Sequence, residues 1–182
     1  MTALAQVLSG EVTTAARSLL GRRVSSRVDG DLVSATITEV EAYGGGDDPA
    51  SHAYRGETVR NRSMFEAPGT LYVYRSYGIH WCMNVVVGPL GEPSAVLLRA
   101  AVVIEGTETA TRRRGRIDHL MNGPGNLTQA LGVSAEHDGS SVFDGPIRID
   151  GDTSEGIVVA TPRVGISRAV DRPWRFLLAT SA

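Results

Sequence analysis

The chain contains no lysine; all 18 of its basic residues are arginines. No side chain can therefore form a Schiff base, and amine chemistry is left to the terminal α-amino group alone. A GC-rich coding bias, in keeping with abundant Ala, Gly and Val, accounts most simply for the absence. Cysteine occurs once, at Cys82, which excludes an internal disulfide and fits a reducing compartment. No apolar run approaches the ~20 residues of a membrane span. The opening residues lack a basic stretch followed by an apolar one, so neither secretion nor membrane insertion is expected. His52, His80, His119 and His137 lie far apart, with no HxxxH or CxxC spacing, so no metal site is expected. Gly44-Gly45-Gly46 lacks both the lysine and the following helix of a phosphate loop, and there is no GxSxG elbow. Net charge is −2, which excludes a uniformly basic nucleic-acid binder.

What is present reads as a globular chain. Its 182 residues are 42% hydrophobic and 21% charged, enough for one domain spanning residues 1–182 and a core that needs no staple. Helical spacing predicts a helix over residues 9–20, with Ser9 as its cap, and further helices near 106–114 and 125–131. Strands are predicted at 22–28 and 32–43, joined by the turn dipeptide Asp29-Gly30, and at 70–77 and 80–87, turning about Gly78. A mostly apolar strand follows at 95–103, and short strands near 146–149, 157–161 and 174–179 close the chain. Strands outnumber helices and neighbours form hairpins, so the expected class is α+β with a mixed, mainly antiparallel sheet.

Along residues 32–43 the period of two puts Val33, Ala35, Ile37, Glu39, Glu41 and Tyr43 on one face. An apolar face ending in two carboxylates and a phenol either emerges into solvent or buries acids that need partners. Four of the five tyrosines fall at 43, 72, 74 and 77, in a chain with only 5% aromatics. β-Propensity explains part of this clustering; a stacking pocket for a planar ligand such as a nucleobase explains it equally. Tyr77, at a hairpin tip, has the placement of a wedge between base pairs. Arg55, Arg60, Arg62 and Arg75 surround the tyrosines in sequence, and Arg163 belongs to a second group near the C-terminus; either supplies a phosphate footprint. The run Arg112 to Arg116 reads more simply as a solvated helix face. Arg99 shares a face with Ala95, Leu97, Ala101 and Val103, where a half-buried guanidinium needs a carboxylate, Glu41 or Glu39.

These residues fall into an ordered set of blocks. Glu39-Val40-Glu41-Ala42-Tyr43, His52, Arg60-Asn61-Arg62, Met64-Phe65, Pro68-Gly69-Thr70-Leu71-Tyr72-Val73-Tyr74 and Tyr77-Gly78 come first. Cys82-Met83-Asn84, Val96-Leu97-Leu98-Arg99-Ala100, Gly123-Pro124-Gly125-Asn126-Leu127 and Arg163-Val164-Gly165 follow. Together they resemble the alkyladenine (3-methyladenine) DNA glycosylase family, in a bacterial form, over residues 12–178. The resemblance implies one compact α+β domain with a curved, mainly antiparallel sheet flanked by helices, a protruding DNA-inserting β-hairpin and no helix-hairpin-helix element. It implies excision of alkylated or deaminated purines from duplex DNA by base flipping, as a step of base excision repair.

Carried over to matching positions, the resemblance makes Glu41 the base that activates water and Arg99 its partner. Tyr43, His52 and Tyr74 become walls of the base pocket, Asn84 the screen against a purine 2-amino group, and Leu97 and Val164 contacts near the water and phosphate. Tyr77 becomes the intercalator. Without lysine a monofunctional enzyme is expected, needing neither metal nor organic cofactor. Double-stranded DNA carrying damaged purines is the expected partner, with no membrane and no obligate protein partner. A monomer at the bacterial nucleoid in the cytoplasm follows. Two other readings are a non-catalytic damaged-DNA-binding domain on the same fold and a free-nucleoside N-ribosyl hydrolase. A retained Glu41 and Arg99 speak against the first, and the wedge and its arginines against the second.

Overall fold

The computed structural model describes residues 2–153 and 156–179. Two short helices, α1 (Ala3–Leu8) and α2 (Val12–Leu19), open the chain. The expected single helix from Ser9 is thus corrected. Ser9 ends α1, and the cap of α2 is Glu11, whose carboxylate accepts the N–H groups of Thr13 and Thr14, each at 2.8 Å. Strands β1 (Arg23–Val28) and β2 (Asp31–Tyr43) form a hairpin, with Asp29 and Gly30 both in the left-handed region that its tight turn requires. Strands β3 (Leu71–Ser76), β4 (His80–Val87) and β5 (Ser94–Glu105) come next. Helices α3 (Thr107–Arg114) and α4 (Pro124–Leu131) precede β6 (Ile147–Asp150), β7 (Val158–Thr161) and β8 (Arg175–Leu178).

The strand order is β3-β4-β5-β2-β1-β6, with β8 added to β2 and β7 to β8. Every pairing among the described residues is antiparallel, so the expected parallel component of a mixed sheet is not found there. The sheet curls until one segment serves both of its edges. Gly139 donates to Leu71 O at 2.8 Å and Leu71 to Ser140 O at 2.7 Å. Val142 donates to Gly69 O, and Ile149 of β6 donates to Val142 O at 3.0 Å. The segment thereby bridges the outer edges of β3 and β6, and the result is a half-barrel. Leu8, Leu19, Met83, Leu98, Leu127 and Leu131 fill its main core. A smaller cluster around Met64, Tyr72, Val86 and Ala95 packs the other face of β3, β4 and β5. No helix of the described residues is long and apolar enough to cross a membrane.

One departure from strict alternation decides where the acids go. On β2, Val33, Ala35 and Ile37 lie in the main core, but beyond residue 38 the core residues are Val40 and Ala42. The register with β5 runs Ile37↔Ala101, Glu39↔Ala100, Val40↔Leu98, so Thr38 is extra on β2 and Arg99 extra on β5. Each strand carries a bulge at the same place. The parity of both strands reverses there, because an extra residue moves everything after it to the opposite face. Glu39, Glu41 and Tyr43 therefore do not continue the face of Val33, Ala35 and Ile37, as strict alternation predicts. Likewise Ala101 and Val103 pack against the main core with Val96 and Leu98. Ala95, Leu97 and Arg99 line a cavity instead.

Gly106 joins β5 to α3 at φ 78°, and a Cβ there would collide with Leu32 O and stand 3.0 Å from Val33 Cα. Backbone atoms cannot rotate away. Gly106→Ala is expected to lower the unfolding free energy by about 2 kcal/mol. Urea denaturation checks this; an unchanged midpoint contradicts it.

Candidate active site

The end of β2 presents Glu41 with no exposed surface at all. A carboxylate so buried requires donors on its lone pairs, and three surround it. Val164 N–H donates to Oε1 at 2.7 Å, the Tyr43 hydroxyl donates to Oε2 at 2.7 Å, and Arg99 Nη1 stands 3.4 Å from Oε2. Arg99 is shared: its Nε donates to Glu39 Oε1 at 2.8 Å, and Glu39 also receives Arg175 Nε at 2.7 Å. Both candidate carboxylates thus meet Arg99. Burial and the neighbouring Glu41 charge drive the Tyr43 phenol far above its usual range, so it stays protonated and remains a donor.

Above this group opens a cavity of about 840 Å³. Tyr43, His52, Tyr74, Asn84, Leu97, Arg99 and Val164 line it, and Tyr77 stands at its mouth. Glu41 lies one layer behind, covered by Tyr43, Arg99 and Val164. The Tyr72 and Tyr74 rings, from the same side of β3, stack at 5.4 Å with 27° between planes. His52 meets Tyr74 edge-on at 4.6 Å, and its Nδ1 is 3.0 Å from the Tyr72 hydroxyl. Burial raises the Tyr72 phenol to about 12. Asn61 holds the loop that carries His52, its amide donating to His52 O at 3.0 Å and Gly56 O at 3.1 Å. Asn84 is pinned through Nδ2 to Tyr72 O at 3.0 Å.

At the hairpin tip, Tyr77 is 88% exposed, with its backbone at φ 50°. A left-handed backbone costs an aromatic residue about 1 kcal/mol, and no packing offsets that cost in an exposed ring. The conformation aims the side chain outward from the cavity mouth.

The arginines divide. Arg55 and Arg60 line the cavity, and Arg60 lies 5.6 Å from the Tyr74 ring centre. Arg75 is exposed on the hairpin over Trp81, and Arg62 is exposed on a short 3-10 turn outside the cavity wall. Arg163 is a correction. Its side chain has no exposed surface, so it cannot meet a DNA backbone; it is paired with Asp48, also fully buried. Arg168 of the following loop lines the cavity in its place. In the run Arg112 to Arg116, Arg112 pairs with Asp31, Arg113 donates to Val28 O, and Arg116 pairs with Asp118. Arg112 and Arg113 thus tie α3 to the β1–β2 hairpin, whereas the Arg116 pair is local and exposed. Asp48 and Asn61 are site residues that the sequence does not mark, whereas Tyr72 belongs to the tyrosine cluster that it does, though not to the expected pocket walls. Tyr72 has a signal, its shared face with Tyr74; Asp48 and Asn61 lie in irregular segments with no periodicity to read.

Comparison with known proteins identifies the family of the chain. Residues 6–182 match the family described as Methylpurine-DNA glycosylase (MPG). A Rhodococcus jostii protein is 49% identical over 181 residues, covering 94% of this chain and 79% of its own length. A Rhodopseudomonas palustris protein is 47% identical, covering 91% and 87%. A Mycobacterium tuberculosis protein is 46% identical, covering 96% and 88%. All three are named, provisionally, as 3-methyladenine DNA glycosylases.

Burial, and then the Arg60 charge, holds the His52 imidazole below the ordinary 6.5. The neutral ring's contribution to stability is complete above pH 6.5 and is lost as pH falls through the lowered folded value. An NMR titration of His52 should therefore show a midpoint below 6.5, moving upward in Arg60→Ala. A midpoint above 6.5 contradicts the assignment.

Proposed function

The chain belongs to the methylpurine-DNA glycosylase family, and from that premise we propose that it turns damaged purines out of duplex DNA and hydrolyses their N-glycosidic bond through Glu41. The substrate class is 3-methyladenine, 7-methylguanine, hypoxanthine and ethenoadenine, and the product is an abasic site awaiting the rest of base excision repair. The observation that carries this reading is the fully buried Glu41, held by three donors directly behind an aromatic-walled cavity.

A base inside a duplex is out of reach, and turning it out costs a few kcal/mol. Tyr77 enters the vacated stack and slows the base's return. Tyr43, Tyr74 and His52 enclose the extruded ring, and a purine carrying a methyl-induced positive charge is drawn to the tyrosine faces. Asn84, pinned in the cavity wall, screens against a purine 2-amino group in this reading. Arg55, Arg60 and Arg75 supply charge for the phosphates, with Arg62 further out.

Cleavage builds oxocarbenium character on the sugar, which a nearby carboxylate stabilises while taking a proton from the attacking water. The Tyr43 hydroxyl occupies Glu41 Oε2. Stacking of Tyr43 on the base moves that hydroxyl aside and admits the water, with Arg99 and the Val164 segment around it and Leu97 at its back. Neutral bases leave less readily and need a hydrogen bond. We assign the Tyr72 proton to His52 Nδ1, which puts the imidazole hydrogen on Nε2 as the donor for such a base. The chain acts as a single domain and a monomer on DNA at the nucleoid, without a cofactor. With no lysine it does not cut the strand.

Single-turnover release from duplexes bearing one hypoxanthine, ethenoadenine or 7-methylguanine tests the reading. The wild-type protein is expected to leave alkali-labile sites without spontaneous nicks, and borohydride to trap no covalent complex. Glu41→Gln is expected to bind the duplex and lose roughly 10²–10⁴-fold in rate. Binding without release from any lesion would favour a damaged-DNA-binding module. Release from free nucleosides but not duplex would favour a nucleoside hydrolase.

A further inference from the structure

Two fully buried charged side chains, Asp48 and Arg163, take no part in the reaction described above. We propose that they are positioning residues for hydrolysis, which set the Val164 N–H against Glu41. The proposal rests on the reading of Glu41 given under Proposed function.

The geometry is that of a clamp with Glu41 at its centre. Arg163 Nη1 donates to Asp48 Oδ2 at 2.5 Å and Nη2 to Asp48 Oδ1 at 2.9 Å. Nη1 also donates to Ala42 O at 2.9 Å. Ala42 lies between Glu41 and Tyr43, and Val164 follows Arg163. One guanidinium therefore joins the strand that carries Glu41 to the segment that supplies its Oε1 donor. Asp48 is itself fixed by N–H groups of Gly44 at 3.1 Å and Ala50 at 3.2 Å. The guanidinium carbon also lies 4.7 Å from the Tyr43 ring centre and 5.3 Å from that of Trp174.

A tie of this kind is needed because the segment is otherwise open to solvent. Val164 is 46% exposed, and Gly165, Ser167 and Arg168 are exposed as well. A buried ion pair adds little net stability over apolar side chains of the same shape. What a bidentate guanidinium adds is fixed geometry. Displacing a catalytic contact by 1 Å can cost 10²-fold in rate, and here the contact is a 2.7 Å bond to the proposed base.

The test is a double-mutant cycle between Asp48→Asn and Glu41→Gln, read as single-turnover release and as affinity for a hypoxanthine duplex. Alone, Asp48→Asn is expected to slow release roughly 10- to 100-fold with affinity changed less than about twofold. In the Glu41→Gln background it is expected to slow release no further, because it acts through Glu41. A merely structural role would slow both backgrounds alike and weaken binding, and that outcome overturns the proposal. So does an Asp48→Asn protein that releases base at the wild-type rate. If Asp48→Asn is unfolded at the assay temperature by circular dichroism, Arg163→Lys, which keeps the charge but not the two-pronged geometry, replaces it in the same cycle. A Glu41→Gln protein with the wild-type rate would instead mark failure of the parent reading.

Discussion

A carboxylate with no solvent contact has to be surrounded by donors, and the donors around Glu41 come from three separate stretches of chain. Tyr43 lies two residues along its own strand, Arg99 comes from the neighbouring strand, and the Val164 N–H comes from a segment far along the sequence. No local conformation brings these together. The half-barrel does: β5 runs beside β2 from Ser34 to Tyr43, and β8 joins β2 at Glu39, Val40 and Glu41. The segment carrying Val164 enters next to that junction and is held there by the buried pair of Arg163 and Asp48. The fold is thus a means of assembling one acid's surroundings.

The facing bulges at Thr38 and Arg99 make this arrangement compatible with a core. A strand that alternated without interruption would send Glu39 and Glu41 into the apolar interior with Ile37, where neither has a partner. Reversal of parity lets the first half of β2 pack the core and the second half serve the cavity. Val40 and Ala42 take over the interior positions. Bulges commonly sit beside active sites because they re-aim side chains at the cost of one unpaired position. The hairpin bearing Tyr77 is a second place where local preference yields. An exposed tyrosine held at φ 50° is backbone strain with no packing to explain it.

Much of the fold is legible in the sequence because its signals are local. Asp29-Gly30 specifies a tight turn, and alternating or continuous apolar runs mark the strands. The start of α4 is read the same way, from Asn122-Gly123 followed by a proline in the first helical position. The bulges are not legible. An extra residue in a strand carries no signature, so Glu39, Glu41 and Tyr43 read as an extension of the wrong face. The helix start at Glu11 is hidden for a related reason, since Ser9 is the better cap by residue type. In the site, Glu41, Arg99 and the tyrosines stand out by placement, type and clustering. Arg163 reads as one more cation of a C-terminal group. Its burial depends on Asp48, 115 positions away in sequence, and pairing over that distance leaves no trace in spacing.

In the proposed mechanism the water that Glu41 deprotonates attacks from one side of the sugar, the side on which Glu41 lies. The most direct measurement is the configuration of the methyl glycoside formed at the lesion site when release proceeds in water containing methanol. A nucleophile held in place yields a single anomer, and that is the expected product. A mixture of both anomers would mean that a free sugar cation is captured from either side after the base has left. Glu41 would then not be positioning the attack.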